Sequence, residues 1–233
     1  MPVVPLALGL NTPLRVVALG DIHFDPLYEE AYLDQVAQEI NVLRPDLIVY
    51  TGDFITGNLS RINDLARLLG KAEARLGAYA TLGNHDHWSG TTIVTTAMDR
   101  VGIRVLRNEC MELPGEDHFY LSALDSFWAG RPDVSVIYRT PKDSRHVLLV
   151  HEPDPFATLV DPRIKLQISG HTHGGQVRIP GIGALHLPKW GLNYQTGLYA
   201  QDGRYLYVNR GVGTLFPHVR FDCPPEITVF ELS

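Results

Sequence analysis

The sequence predicts an α/β fold, a two-sheet αββα sandwich of mixed, largely parallel β-sheets with flanking helices, and three observations predict it. Short β-branched apolar runs alternate with helix-like stretches through the first part of the chain, at intervals of ~30 residues, the spacing of consecutive βαβ units with right-handed crossovers. The later part is richer in short strand-like runs punctuated by Pro and Gly, which fits a second sheet packed on the first. The chain has 233 residues, 45% of them hydrophobic, enough for one large domain with a sizeable core rather than two small ones.

The elements follow in order. Residues 1–12 (MPVVPLALGLNT) are mildly apolar, broken by Pro and Gly, and lack a basic segment. They do not read as a signal peptide and are taken as an N-terminal extension, with a single domain over 13–233. Leu14–Leu19 (LRVVAL) is the first strand, ending at Gly20. A polar helical stretch over 29–43 is closed by Pro45. The second strand covers 46–50 and ends at Thr51-Gly52-Asp53. A helix over 62–75 places Leu65, Leu68, Leu69 and Leu76 at helical spacing. The third strand covers 78–82 and runs into Gly83-Asn84-His85-Asp86. Further strands are expected over 104–108, 119–123, 147–150, 166–168, 176–179, 205–208 and 227–230. The stretch 180–197, punctuated by Pro and Gly, reads as a long loop with a weak strand or two.

Composition excludes several functions. The net charge of −6 and the absence of a dense Lys/Arg run argue against extended nucleic acid as a partner. Cys110 and Cys223 lie outside any zinc or CxxC spacing, which removes a disulfide framework and a structural zinc site. No apolar run approaches the ~20 residues a membrane span needs.

Five short polar motifs sit where predicted strands end: Asp21-Ile22-His23, Gly52-Asp53, Gly83-Asn84-His85-Asp86, His151, and Gly170-His171-Thr172-His173. Open α/β sheets bind ligands beyond the carboxyl ends of their strands, so the fold would gather these clusters into one cleft. In Asp21-x-His23 and His171-x-His173 the spacing of two puts both side chains on one face of an extended chain. Asp, Asn and neutral His, with no thiolate, form a donor set of intermediate hardness that suits Mn, Fe, Zn or Co ions. The preceding glycines permit tight turns and close backbone approach.

These motifs, in this order from residue 21 to residue 173, resemble those of the calcineurin-like metallophosphoesterase superfamily: D-x-H, G-D, G-N-H-[DE], a lone His and G-H-x-H. The GHTHGGQ run at 170–176 is similar to a bacterial subgroup whose members are often membrane-associated. That subgroup includes enzymes acting on phosphodiesters and on the pyrophosphate of UDP-2,3-diacylglucosamine. The resemblance implies two metal ions, divalent or of mixed valence. Asp21, His23 and His173 would hold one, Asn84, His151 and His171 the other, with Asp53 bridging. It also implies a hydroxide nucleophile and His85 as general acid rather than ligand, so that activity falls at high pH as the imidazolium is lost. The expected activity is a phosphodiesterase acting on a small-molecule or lipid-linked phosphoester. Pyrophosphatase and phosphomonoesterase are the alternatives, and a non-enzymatic scaffold is disfavoured because every ligand position is filled. Peripheral membrane contact is compatible with this; the native metal, the compartment and the oligomeric state are not legible.

Other residues keep two readings. Asp86 suits a partner that orients a ligand better than a ligand, and His87 suits a rim or solvent position better than a substrate contact. His118, His146, His186 and His218 lack partner spacing and read as surface or satisfied core residues. Arg210 follows a strand and could grip a substrate phosphate or make an ordinary salt bridge. Trp190 and Tyr194, in the long loop, could form one wall of the cleft or a hydrophobic plug beneath the loop.

Overall fold

A computed structural model describes residues 1–24 and 30–233. In chain order, β1 is Val3–Leu6, β2 Leu14–Leu19, α1 Glu30–Leu43, β3 Leu47–Tyr50, α2 Ile62–Leu69, β4 Ala78–Ala80, α3 Asn84–Ser89, α4 Thr91–Asp99 and β5 Ile103–Val105. Then come β6 Glu109–Glu112, β7 Phe119–Ala123, α5 Ser135–Tyr138, β8 Arg145–Leu149, β9 Ile164–Ser169, β10 Arg178–Ile179, β11 Gly183–Ala184, β12 Gly197–Gln201, β13 Arg204–Val208 and β14 Thr228–Leu232.

The strands form two six-stranded sheets, ordered β1-β14-β2-β3-β4-β5 and β12-β13-β9-β8-β7-β6. The run β2-β3-β4-β5 is parallel, as is β13-β9-β8-β7; the antiparallel pairs are β14 with β2, β12 with β13, and β6 with β7. Side chains alternate across each strand, so Val16, Ala18, Leu47, Val49 and Phe230 of the first sheet meet Phe119, Leu121, Val147, Leu149, Leu166 and Ile168 of the second. Val17, Leu19, Ile48 and Tyr50 turn the other way, onto Leu33, Val36 and Ile40 of α1, Leu65 and Leu69 of α2, and Val94 and Met98 of α4. On the outer face of the second sheet, Leu148 and Val150 pack with Val136 and Ile137 of α5. Strands buried on both faces read as continuous apolar runs, which is why LRVVAL and LIVY were recognisable. This is the expected two-sheet sandwich with flanking helices.

Several boundaries differ. Val3–Leu6, inside the stretch expected to be an extension, pairs in parallel with β14 and buries Val4 and Leu6, so the first sheet already includes it. β1, β6 and β12 are all edge strands, half exposed and therefore weak in hydrophobic pattern. α2 stops at Leu69, not at 75. Gly70 is a poor helix former and packs so closely on Val101 that a Cβ there would lie 2.8 Å from the Val101 Cβ. The Thr- and Val-rich α4 gave no helical signal, because its β-branched residues favour strands; it folds as a helix by burying Val94, Ala97 and Met98. The expected helix start at Glu29 lies outside the described residues. Among the described residues no helix is long and apolar enough to cross a membrane.

Candidate metal centre

Parallel strands of both sheets end on one side of the molecule, and their exits converge. Asp21 and His23 follow β2, Asp53 follows β3, Asn84 and His85 open α3 after β4, His151 follows β8, and His171 and His173 follow β9. Backbone hydrogen bonds lock the exits together. Asp21 N–H donates to Gly52 O at 2.9 Å, and Gly213 N–H donates to Asp21 O at 2.9 Å. The amide of His171 donates to both carboxylate oxygens of Asp21, each at 2.9 Å, which ties the second sheet to the first.

The turns are conformationally unusual. Asp21, His23, Asp53, His171 and His173 all have left-handed backbone, with φ between 48° and 73°. Such φ values in non-glycine residues cost of order 1–3 kcal/mol each and cluster at functional sites. The glycines serve a different purpose from conformational freedom in most of these turns. At Gly83 a Cβ would fall 2.1 Å from Asp53 Oδ1, and at Gly170 one would fall 2.3 Å from Asp21 Oδ2. Their lack of a side chain makes room for the carboxylates.

Among the described residues three overlapping groups of donor atoms result: Asp21 with His23 and His173, His23 with Asp53 and His85, and Asp53 with His151 and His171. The donor atoms of each group lie within 4.8 Å of one another. His23 Nε2 lies 2.9 Å from His173 Nε2, and His171 Nδ1 lies 3.1 Å from His151 Nε2. Asp53 Oδ2 sits between the outer groups, 3.5 Å from His23 Nε2 and 3.2 Å from His151 Nε2.

Imidazole orientation is fixed from behind. His151 Nδ1–H donates to Thr51 O at 2.7 Å, leaving Nε2 facing the cluster, and His171 Nε2–H donates to Lys189 O at 2.7 Å, leaving Nδ1 facing it. His23 Nδ1 meets the Thr56 hydroxyl at 2.7 Å. For His151 and His171 the carbonyl behind the ring fixes which nitrogen faces inward.

Burial drives His23 down to about 3 and His171 down to about 4, and it holds His173 well below the ordinary histidine value. Burial also pushes Asp21 up to about 7, opposed by His151 and reinforced by Asp53. Asp53 stays well below the usual carboxylate range despite its burial, because His151 and His23 surround it, and His151 is raised in return by Asp53. Burial lowers His85, with Asp53 pulling the other way. Imidazoles turned inward beside carboxylates are a donor set for a cation. The side-chain oxygen of Asn84 is buried without a hydrogen-bond partner, a cost of ~1–3 kcal/mol that a cation would relieve. These residues therefore fit metal ions of the Mn, Fe, Zn or Co class.

These groups bring together seven of the eight residues singled out at the strand ends, His85 included, and Asn84 stands next to His85 at the start of α3. Arg210 Nε is paired with Glu226 Oε2 at 2.5 Å, and its aliphatic stem packs beside Gly174. Trp190 packs against Phe127, ring centroids 6.0 Å apart, next to the Lys189 carbonyl that orients His171. Tyr194 stacks edge-on with Phe156 and Tyr199 at 5.6 and 5.0 Å, beneath the loop. His87 does not face solvent: its Nε2 lies 2.7 Å from the buried carboxylate of Asp125. The Asp86 carboxylate accepts the backbone amides of Asp53 and Phe54 and so braces the turn that carries Asp53.

Sequence reasoning passed over the rim. Trp88 lies one helical turn from His85, with ring centroids 4.9 Å apart; it meets Trp128 at 5.1 Å, and Trp128 meets His171 at 5.6 Å. The signal available for Trp88 was its position immediately after Gly83-Asn84-His85-Asp86-His87; Trp128 had none.

Residues 14–175 match the family model described as calcineurin-like phosphoesterase. An uncharacterized metallophosphoesterase of Bacillus subtilis, YkuE, is 36% identical over 225 residues, covering 94% of this chain and 79% of that protein. The phosphodiesterase YaeI of Escherichia coli is 30% identical over 228 residues, covering 94% of this chain and 82% of its own length. Among solved structures, TT1561 of Thermus thermophilus superposes with a TM-score of 0.58 at 11% identity, over 86% of this chain and 90% of that one, a likeness of fold.

Proposed function

The chain belongs to the calcineurin-like phosphoesterase family, and from that premise we propose that it is a phosphodiesterase working with two metal ions on a small or lipid-linked phosphodiester. Asp21, His23 and His173 would hold one ion and Asn84, His151 and His171 the other, with Asp53 shared. The observation that carries this reading is the place of Asp53 Oδ2, within 3.5 Å of His23 Nε2 and 3.2 Å of His151 Nε2. A carboxylate so placed can serve both donor groups at once. When bound, such ions lower the pKa of a coordinated water and neutralise charge on the phosphoryl oxygens.

The chain's own groups do the rest. His151 and His171 each donate one ring N–H, to Thr51 O and Lys189 O, which turns the other ring nitrogen toward the donor cluster. His85 is less buried than the ligand candidates, and its backbone N–H donates to Asp53 Oδ1 at 2.9 Å, which anchors it beside the shared carboxylate. From there its imidazolium gives a proton to the departing oxygen, and nearby Asp53 counters part of the loss of basicity that burial imposes. The identity of YaeI as a phosphodiesterase supports a diester over a monoester. Trp190 adjoins the Lys189 carbonyl that orients His171, whereas Arg210 is paired with Glu226 and Tyr194 packs on Phe156 and Tyr199.

The test is release of 4-nitrophenol from bis-(4-nitrophenyl) phosphate and from 4-nitrophenyl phosphate, with and without Mn²⁺. Metal-dependent turnover with preference for the diester is expected. No metal-dependent release from either compound would sink the enzymatic reading, and preference for the monoester would sink the diesterase reading.

A further inference from the structure

We propose that Trp88 and Trp128 form a preorganised aromatic platform that selects substrates carrying a flat aromatic ring on the leaving oxygen. This rests on the role given to His85 above. The acid must lie within hydrogen-bond reach of the departing oxygen, and the Trp88 ring is 4.9 Å from the His85 ring, centroid to centroid. Whatever that oxygen carries therefore emerges against Trp88. Trp128 extends the surface, 5.1 Å from Trp88, and closes on His171 at 5.6 Å. The two indoles meet edge-on, at 83°, and line one corner between the acid and a ligand candidate.

Both indoles are accessible, Trp88 at 56% and Trp128 at 36%. An apolar ring left in water contributes little to folding, yet these two are held by buried charge. Asp125, 1% exposed, reaches both of the elements that carry them. Its Oδ1 lies 2.7 Å from His87 Nε2 on α3, and its Oδ2 accepts the Arg131 amide at 2.9 Å, at the end of the loop that bears Trp128. Gly130 leaves room for this carboxylate: a Cβ there would fall 2.5 Å from it. A second buried carboxylate, Glu152, accepts the amides of Phe127 at 3.0 Å and Trp128 at 3.1 Å. Burying carboxylates is costly unless each is well hydrogen-bonded. Two of them spent on fixing an exposed indole pair point to a binding surface whose geometry matters, and rigid aromatic surface favours a flat ring through stacking. An acyl chain would gain from contact area without needing a fixed ring geometry.

Binding can be read without turnover, by quenching of the intrinsic fluorescence of the full chain in Mn²⁺ with non-hydrolysable phosphonates. Phenylphosphonate should bind more tightly than n-butylphosphonate by about tenfold, the scale of one ring stacked on an aromatic side chain. That ratio should fall to near one in Trp88→Ala and persist in Trp88→Phe. Equal binding of the two compounds by the wild type, or a ratio that survives Trp88→Ala, overturns the platform. Tighter binding of n-dodecylphosphonate than of phenylphosphonate, lost in Trp88→Ala, overturns the aromatic assignment in favour of an acyl chain. Binding of neither short compound overturns the phosphoester reading itself and the platform with it.

Discussion

The Asp86 carboxylate is a clamp on Asp53: its Oδ2 accepts the Asp53 amide at 2.8 Å, and its Oδ1 accepts the Phe54 amide at 2.9 Å. Oδ2 also takes the Gly83 amide at 2.9 Å, so Asp86 caps its own helix from the third position. Three converging N–H donors favour the ionised carboxylate, against burial and the neighbouring Asp53, which push the group up to about 7. The clamp holds Asp53 in its left-handed backbone, at φ 54°.

Asp86→Asn therefore turns one acceptor into an NH₂ group facing backbone N–H. The expected result is a loss of metal affinity of roughly 10–100-fold, the usual effect of removing a group that orients a ligand. Titration of Mn²⁺ into metal-stripped protein by calorimetry reads this. Unchanged affinity would mean that the Asp53 turn holds itself without Asp86.

For His85 the expectation is a separation of rate from metal content. His85→Asn should bind metal as the wild type does, while turnover falls by about 10²–10⁴, the scale of a lost acid–base contribution. The loss should be larger for an alkyl leaving group than for 4-nitrophenol, which departs without a proton. An equal loss for both leaving groups would remove the acid role and leave electrostatic stabilisation.

The candidate ligands were legible in the sequence because each lies at the end of an apolar strand, and strand ends are fixed by local pattern. Asp21, Asp53 and His171 could be located from LRVVAL, LIVY and the run before Gly170 alone. What local pattern could not give was their left-handed backbone, which depends on tertiary hydrogen bonds such as Gly213 N–H to Asp21 O. The edge strands β1, β6 and β12 escaped because one side of each lacks a partner strand. The pairing of Trp88 with Trp128 was beyond reach for a related reason: Asp125 and Glu152 join residues distant in sequence, and no periodicity records that.

Metal binding should appear as stability. A ligand that binds only the folded chain stabilises it by ~2.7 kcal/mol at a hundred times its Kd, and here the ions would also relieve the unpartnered Asn84 oxygen. Thermal melts in EDTA and in increasing Mn²⁺ should therefore give a midpoint that rises with metal concentration. Asp53→Asn, which removes the charge shared by two donor groups, should flatten that dependence. A steep dependence in the variant would show that Asp53 is not shared.

Away from the site, His146 gives a pH signature of its own. It is fully buried, with Nδ1 2.7 Å from the Ser122 hydroxyl and Nε2 2.8 Å from that of Ser144. Burial, aided by the nearby positive charge of Arg163, lowers it to about 4. The unfolded chain takes up this proton near pH 6.5 and the folded chain does not until about 4. Stability from this group is thus complete above 6.5 and is lost as pH falls through that window, by roughly 3 kcal/mol at the lower end. Other buried histidines titrate alongside it, so the comparison must be made with a variant. Urea unfolding of wild type and His146→Gln at pH 7 and pH 4.5 should give the variant the smaller drop between the two. The same drop in both proteins, or an imidazole NMR titration of His146 near its ordinary value, would show that the buried ring takes up a proton without cost.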